Sequence, residues 1–292
     1  NLGVSSEIEL PTLEEEKDEK IRRYAQERNV VMLCLIAPFA PLRVAPRREI
    51  TAHFSYPEEF MIEEFINIIE EKYPDIQERP QLYLLIHSPG GAAESAYVIA
   101  KCLRHKFSDI TAFIPHIAAS GATEVAISSN RIIMGDISRL SPIDPHGNID
   151  GETVYYLSIV RAFRNLEEYF STRAVEETPY PYQHLLKTIT AERYDRAVHA
   201  LRMVEGYARD LLKKAGYSDN EIDKIVKSLV YRFNIHEEII MIEKAREIGL
   251  KVIHFKEDEH YREIWSCMKY WLQKYLYLPS PTHIIRYVLP EE

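Results

Sequence analysis

A serine and a pair of glycines follow two consecutive apolar runs of the chain, and residues of these types at these positions could carry out acyl transfer. Gly90 and Gly91 come shortly after residues 82–86, and Ser120 follows the next run. Turns that lead from a strand into a helix leave backbone N–H groups without partners, and such groups favour negative charge. If both runs are strands of one parallel sheet, the hydroxyl and the N–H groups meet at the same edge. A nucleophile beside an anion-binding hollow is the minimal apparatus of acyl transfer.

The elements that must position these residues alternate between strands and helices. Residues 82–86 are apolar throughout, which is typical of a strand buried on both faces. Residues 96–107 carry apolar side chains at spacings of three and four, which predicts a helix. The pattern recurs with a strand over 111–115 and a helix over 123–129. This alternation predicts an α/β fold with parallel strands and right-handed crossovers.

The remainder of the chain supplies further elements of both kinds. Strands are predicted over 30–36, 131–134 and 251–255, and helices over 14–28, 58–73, 153–170, 191–215, 220–230 and 237–248. Residues 135–147 are predicted to form a loop, and the proline- and tyrosine-rich segment 176–183 a linker or a lip. We expect an N-terminal helical extension over 1–29, one large domain over 30–257 and an aromatic tail over 258–292. The tail either covers the core or docks on a neighbouring subunit.

The composition restricts the class of protein. Of 292 residues, 46% are hydrophobic and 28% are charged, which suits a folded core with a polar surface. A net charge of −9 argues against a nucleic-acid partner, because phosphates bind clustered Lys and Arg. The three cysteines are far apart and lack the CxxC spacing. They indicate a reducing compartment, and we therefore expect a cytoplasmic protein.

Motifs for cofactors, metal ions and membrane spans are missing from the sequence. Neither HExxH nor GxGxxG occurs, and we expect no cofactor and no metal ion. The most apolar stretch covers residues 30–40, whereas a helix needs about 20 apolar residues to cross a bilayer. We expect membrane association only through a segment outside this chain.

Four short motifs, taken in order, resemble the ClpP/crotonase superfamily. They are Ser88-Pro-Gly-Gly91, Ala119-Ser120-Gly121-Ala122, Arg131-Ile-Ile-Met-Gly135 and Leu140-Ser-Pro-Ile-Asp-Pro145. The nearest branch is that of the serine dehydrogenase proteinases, relatives of signal peptide peptidase A, and the likeness covers 30–255, including His236. The resemblance implies a spiral of parallel βαβ units and serine peptidase chemistry on a peptide or protein substrate. It also implies assembly into trimers or a higher ring.

The resemblance also implies functions for individual residues. Carried over position by position, Ser120 is the nucleophile, and the N–H groups of Gly91 and Gly121 form the oxyanion hole. Relatives of the peptide-peptidase type use a lysine on a later helix as the base. This chain has Arg161 and Arg164 there, and arginine, with a pKa above about 12, cannot accept a proton.

The identity of the general base therefore stays open between three interpretations. His146 lies 26 residues after Ser120, close to where ClpP-type peptidases place their histidine, with Asp144 nearby to orient it. Lys187 could instead reach the site from the loop after Pro181. In the third interpretation no competent base exists.

Other histidines near the site are interpreted as structural. His87 and His116 lie near the same edge of the predicted sheet and are expected to pack in it. His236 precedes an acidic stretch and is interpreted as part of a turn, while the family resemblance leaves a structural role near the site open.

The sequence thus predicts a serine peptidase-like hydrolase that forms an acyl-enzyme on Ser120. Two alternatives belong to other classes. The missing lysine favours a catalytically inactive oligomeric scaffold or peptide-binding protein. A crotonase-type acyl-CoA enzyme would use the Gly91 hole without Ser120.

Overall fold

The computed structural model describes residues 13–39, 42–45, 48–149, 151–172, 174–177, 179–182, 190–233, 236 and 238–291. The strands are β1 (Val30–Ile36), β2 (Leu42–Ala45), β3 (Arg48–Ile50), β4 (Gln81–His87), β5 (Ile110–Ile114), β6 (Ile117–Ala118), β7 (Arg131–Met134), β8 (Arg139–Leu140), β9 (His146–Ile149), β10 (Glu152–Tyr155), β11 (Val252–His254) and β12 (Ile284–Val288). The α-helices are α1 (Leu13–Arg28), α2 (Tyr56–Lys72), α3 (Ala93–Lys106), α4 (Gly121–Ile127), α5 (Tyr156–Phe170), α6 (Ala191–Lys214), α7 (Asp219–Val226), α8 (Ile242–Ile248) and α9 (Glu259–Tyr275).

The central sheet has six strands in the order β11-β7-β5-β4-β1-β12. The first five of these pair in parallel, and each new strand of the chain adds beside the previous one. The crossover helices α2, α3 and α4 pack into one hydrophobic cluster, so the chain winds in one direction as a spiral. The predicted α/β class and the spiral of parallel βαβ units are confirmed.

Alternate side chains of each strand point to opposite faces of the sheet, and both faces are buried. In β1, Val31, Leu33 and Leu35 belong to the cluster beneath the crossover helices. Met32 and Cys34 belong to a second cluster on the other face, together with side chains of α1 and α9. This double burial explains why the strands are continuous apolar runs.

The aromatic C-terminal segment covers the core. Trp265 and Trp271 of α9 are buried against the second face of the sheet. Strand β12 pairs antiparallel with β1 and closes that edge of the sheet. Of the two possibilities left open by the sequence, the structure shows coverage of the core. Among the described residues, no helix has both the length and the apolar character needed to cross a membrane.

Several predicted boundaries were wrong, each because a tertiary contact or a turn prevails over the local pattern. Residues 152–155 form β10, which pairs with β9, so the helix predicted from 153 begins at Tyr156. Ile240 pairs with Leu140, and α8 therefore begins at Ile242 rather than near 237. The predicted loop 135–147 contains β8 and the start of β9. Residues 180–182 are helical, because proline is tolerated in the first turn of a helix.

Candidate active site

Ser120 lies in a tight turn between β6 and α4. Its φ is 50° and its ψ is −122°, and the N–H of Ala122 donates to the carbonyl of Ala119 over 2.9 Å. These values place Ser120 at the second position of a type II′ turn, which glycine normally occupies. A non-glycine residue there costs about 1–3 kcal/mol, and such strain clusters at active sites.

The glycine turn packs directly against the serine turn. The N–H of Ser88 donates to Ile117 over 3.1 Å, and the N–H of Ala119 donates to Ser88 over 3.0 Å. A Cβ on Gly90, whose φ is +106°, would lie 2.6 Å from the carbonyl oxygen of Ala119. Glycine is therefore required for this close approach.

Ser120 and the backbones of Gly91 and Gly121 line one cavity of about 390 Å³. A Cβ on Gly121 would lie 3.5 Å from the Gly91 nitrogen, so the two backbones are adjacent. Within the described part of the chain, neither glycine N–H donates a hydrogen bond. Unused N–H groups that line the same cavity as a serine are the components needed to bind a tetrahedral oxyanion.

A buried relay of side chains holds the glycine turn from beneath. The Ser88 hydroxyl accepts the N–H of Gly90 over 3.0 Å and contacts Nε2 of His283 at 2.8 Å. His283 donates from Nδ1 and from its backbone N–H to Oε1 of Glu58, over 3.1 and 3.0 Å. Burial alone would raise the pKa of Glu58, but these hydrogen bonds from His283 lower it below its ordinary value.

This relay has the residue types of a hydrolase triad, yet no substrate can reach it. Ser88 and Glu58 are 0% exposed and His283 is 1% exposed. We therefore assign the relay a structural function, which is to fix the glycine turn. Glu58 is recognisable in the sequence as the partner of Ser55 in a capping box, but no local pattern indicates its contact with His283.

Asp144 forms a hydrogen bond with His236, a residue that the sequence analysis interpreted as part of a turn. Nδ1 of His236 lies 3.0 Å from Oδ1 of Asp144, and their side chains are 10% and 6% exposed. If Nδ1–H donates to the carboxylate, Nε2 is the atom that can accept a proton. His236, Ser120 and Ser141 line a second cavity of about 250 Å³. Ser120 thus lies between two cavities, and one of them contains a histidine oriented by a carboxylate.

The other predicted bases have different surroundings. His146 begins β9, is exposed and lines the larger cavity. Its ring centroid lies 5.1 Å from that of His236. Lys187 lies outside the described residues. The described His, Cys, Asp and Glu residues include no group of three or more that could hold a metal ion.

His87 and His116 occupy structural positions at the end of the sheet. Nε2 of His87 lies 3.2 Å from Nδ1 of His116, and Nδ1 of His87 contacts the carbonyl of Ala37 at 3.0 Å. Burial lowers the pKa of His87 to about 4. His116 lines a separate cavity that Ser120 does not reach. Both contacts agree with their interpretation as packing residues.

A short ladder of backbone pairs brings the site residues together. We define the site ladder as the paired residues Ser88, Ala118, Leu140 and Ile240, which join in that order. The glycine turn, the serine turn and the Asp144 loop each follow a member of the ladder, and His236 precedes the last one. Residues far apart in sequence therefore meet at one edge of the fold.

The spiral of parallel βαβ units, with a glycine turn and a serine turn side by side, defines a ClpP-like protein. A model of the ClpP-like SDH-type serine proteinase family matches residues 60–285. The chain therefore belongs to that family, which confirms the resemblance carried by the four sequence motifs.

Individual relatives are more distant. The chain is 28% identical to the uncharacterized protein MJ0137 of Methanocaldococcus jannaschii over 257 residues, which cover 86% of this chain and 78% of that protein. It is 26% identical to the uncharacterized protein MJ1495 of the same organism over 169 residues, 58% of this chain and about half (51%) of that protein. A solved structure of a mutant of the 1510-N membrane-bound stomatin-specific protease aligns with a TM-score of 0.43 and 12% identity, covering 69% of this chain and 74% of that one.

Proposed function

We propose that this protein is a serine peptidase that cleaves peptide bonds through an acyl-enzyme on Ser120. The observation that supports the proposal is that Ser120, Gly91 and Gly121 line one cavity, and that neither glycine N–H donates a hydrogen bond within the described part of the chain. His236, which contacts Asp144 and lines the adjoining cavity, supplies the base, since no lysine stands where relatives carry one.

The residues divide the chemistry as follows. Nε2 of His236 accepts the Ser120 proton as Oγ attacks the substrate carbonyl, and Asp144 stabilises the imidazolium that forms. The carbonyl oxygen becomes an oxyanion and accepts hydrogen bonds from Gly91 and Gly121. His236 then gives its proton to the leaving amine. A water molecule, deprotonated by the same imidazole, hydrolyses the ester and restores the hydroxyl.

A fluorophosphonate probe tests this proposal, because it phosphonylates only an activated serine. We expect covalent labelling of the wild type and none of Ser120→Ala or Ser120→Gly. The two variants separate loss of the hydroxyl from loss of stability. Ser120→Gly also relieves the positive φ and should be about 1 kcal/mol more stable than Ser120→Ala in urea unfolding. Wild type that remains unlabelled would favour the scaffold alternative. Acyl-CoA turnover that survives Ser120→Ala would favour the crotonase alternative.

We also propose that the protein assembles into a homo-oligomer, as the family resemblance implies. Three apolar side chains, Phe39, Ile137 and Tyr277, are 50%, 64% and 70% exposed. They line one groove of about 530 Å³, and exposed apolar clusters of this kind mark interaction sites. Light scattering should give a mass that is a multiple of 34.1 kDa. Ile137→Arg should reduce that mass. A monomeric mass of the wild type would contradict the proposal.

A further inference from the structure

Glu124 is a buried carboxyl that the proposed chemistry does not use. It lies on α4, one turn after Ser120, and is 1% exposed. Its Oε1 atom is buried and has no hydrogen-bond partner among the described residues. Burial of a carboxyl oxygen without a hydrogen-bond partner is unfavourable, and a ligand that supplies the partner would remove this cost.

The cavity that Glu124 lines has a composition suited to a long cationic side chain. Glu94, which is exposed, contributes a second carboxyl, while Ile143 and Met203 provide apolar walls. An alkyl chain packs against such walls, and a terminal ammonium or guanidinium group pairs with carboxylates. The cavity volume of about 390 Å³ lies within the range of about 300–1,000 Å³ that is usual for ligand sites.

We propose that this cavity binds the Lys or Arg side chain of the substrate residue whose carbonyl Ser120 attacks, with Glu124 as its buried partner. This inference rests on the proposed function and specifies the substrate class. The position follows from the chemistry on each side of Ser120. The cavity with Glu124 also contains the Gly91 and Gly121 backbones, which bind the oxyanion of the acyl residue. His236, which protonates the leaving amine, lines the other cavity.

The preference for a cationic residue should depend on pH. Burial and the nearby charge of Glu94 raise the pKa of Glu124 well above its ordinary value. The other titratable groups around it are His146, Tyr156 and Tyr207, and burial together with both glutamates raises the pKa of Tyr207. A cation binds the ionised form of Glu124, so cation binding is stronger at a pH where this carboxyl is ionised. The preference therefore rises as the pH rises and falls as the pH falls.

Two peptidyl phosphonates test the inference, because they react with the same serine. One carries an aminobutyl side chain at the acyl residue and the other a butyl side chain, so the two differ only in the terminal ammonium group. On the wild type at pH 8 we expect the aminobutyl probe to label about 10- to 100-fold faster, the range expected for a hydrogen bond to a charged group. In Glu124→Gln the two rates should differ by less than about threefold. The control is Glu71→Gln, because Glu71 is an exposed glutamate of α2. In this variant the ratio of the aminobutyl to the butyl labelling rate should equal that of the wild type.

The outcomes separate this inference from the proposed function. If fluorophosphonate labels Ser120 but the two phosphonates react equally, or the butyl probe reacts faster, the cationic specificity is wrong and the peptidase proposal stands. If the ratio of the two labelling rates in Glu124→Gln equals that of the wild type, Glu124 does not bind the cationic side chain. A wild-type ratio of the two labelling rates that does not decrease as the pH is lowered contradicts the pairing of the cation with an ionised Glu124. Absence of labelling by every probe removes the proposed function, and this inference with it.

Discussion

Replacement of His236 by alanine should slow the fluorophosphonate labelling of Ser120 by about 10²–10⁴-fold, the contribution of a positioned general base. The reason is that His236, which contacts Asp144, lines the same cavity as Ser120. His146→Ala should lower the rate by less than about tenfold, because His146 is exposed and lines the other cavity. The measurement is the second-order rate constant of labelling at a fixed pH, with urea unfolding to show that each variant is folded.

Asp144→Asn provides a second, more conservative variant for the same assignment. The amide keeps the shape of the carboxylate but can donate to Nδ1, which favours the wrong tautomer of His236. In the Ser-His-Asp template this change costs about 10⁴ in rate, so Asp144→Asn should approach the loss seen in His236→Ala. A larger loss in His146→Ala than in His236→Ala would transfer the assignment to His146. If all three variants label at the wild-type rate, neither histidine acts as the base.

The sequence predicted the residues that local rules govern. The turns that contain Ser120 and Gly91 could be predicted because each follows a continuous apolar strand and precedes a helix, and such turns gather at one edge of a parallel sheet. The alternation of buried side chains in β1 follows from the same rules. The positions of residues that depend only on the order of strands in one parallel sheet can therefore be predicted from the sequence.

The His236–Asp144 pair was not predictable in this way. The two residues are 92 positions apart, and their meeting depends on the pairing of Leu140 with Ile240 at the end of the site ladder. That pairing is an isolated bridge without strand periodicity in the sequence. The sequence alone therefore points to His146, the nearest histidine along the chain, as the partner of Asp144.

The relay beneath the glycine turn shows the same limit at a longer range. Glu58 and His283 are 225 positions apart, and they meet because β12 returns to pair with β1. No property of residues 283–288 alone indicates that the strand joins this edge. The glycine turn thus depends on the C-terminal segment, which the sequence alone predicts as an aromatic tail.

Gly91→Ala should both destabilise the protein and reduce its activity. A Cβ at this position would lie 2.2 Å from the nitrogen and 2.5 Å from the carbonyl oxygen of Phe54, and the φ of +153° is one that side chains rarely adopt. Because the obstructing atoms are backbone, relief requires movement of the turn itself. We expect a loss of about 3–5 kcal/mol in the free energy of unfolding. The displaced N–H should also lower the labelling rate of the folded protein by about 10²–10³-fold.

Gly206→Ala is the matched control, because the same change should have the opposite sign there. Gly206 lies inside α6, and a Cβ at this position would meet nothing within 4 Å. Alanine in a helix interior is favoured over glycine by about 1 kcal/mol, so this variant should be more stable and label at the wild-type rate. If Gly91→Ala, measured at a temperature where it is folded, labels as fast as Gly206→Ala, then Gly91 is not an oxyanion donor. In that case another group near Ser120 is the second donor, and glycine is required at position 91 only for close packing against the backbone of Phe54.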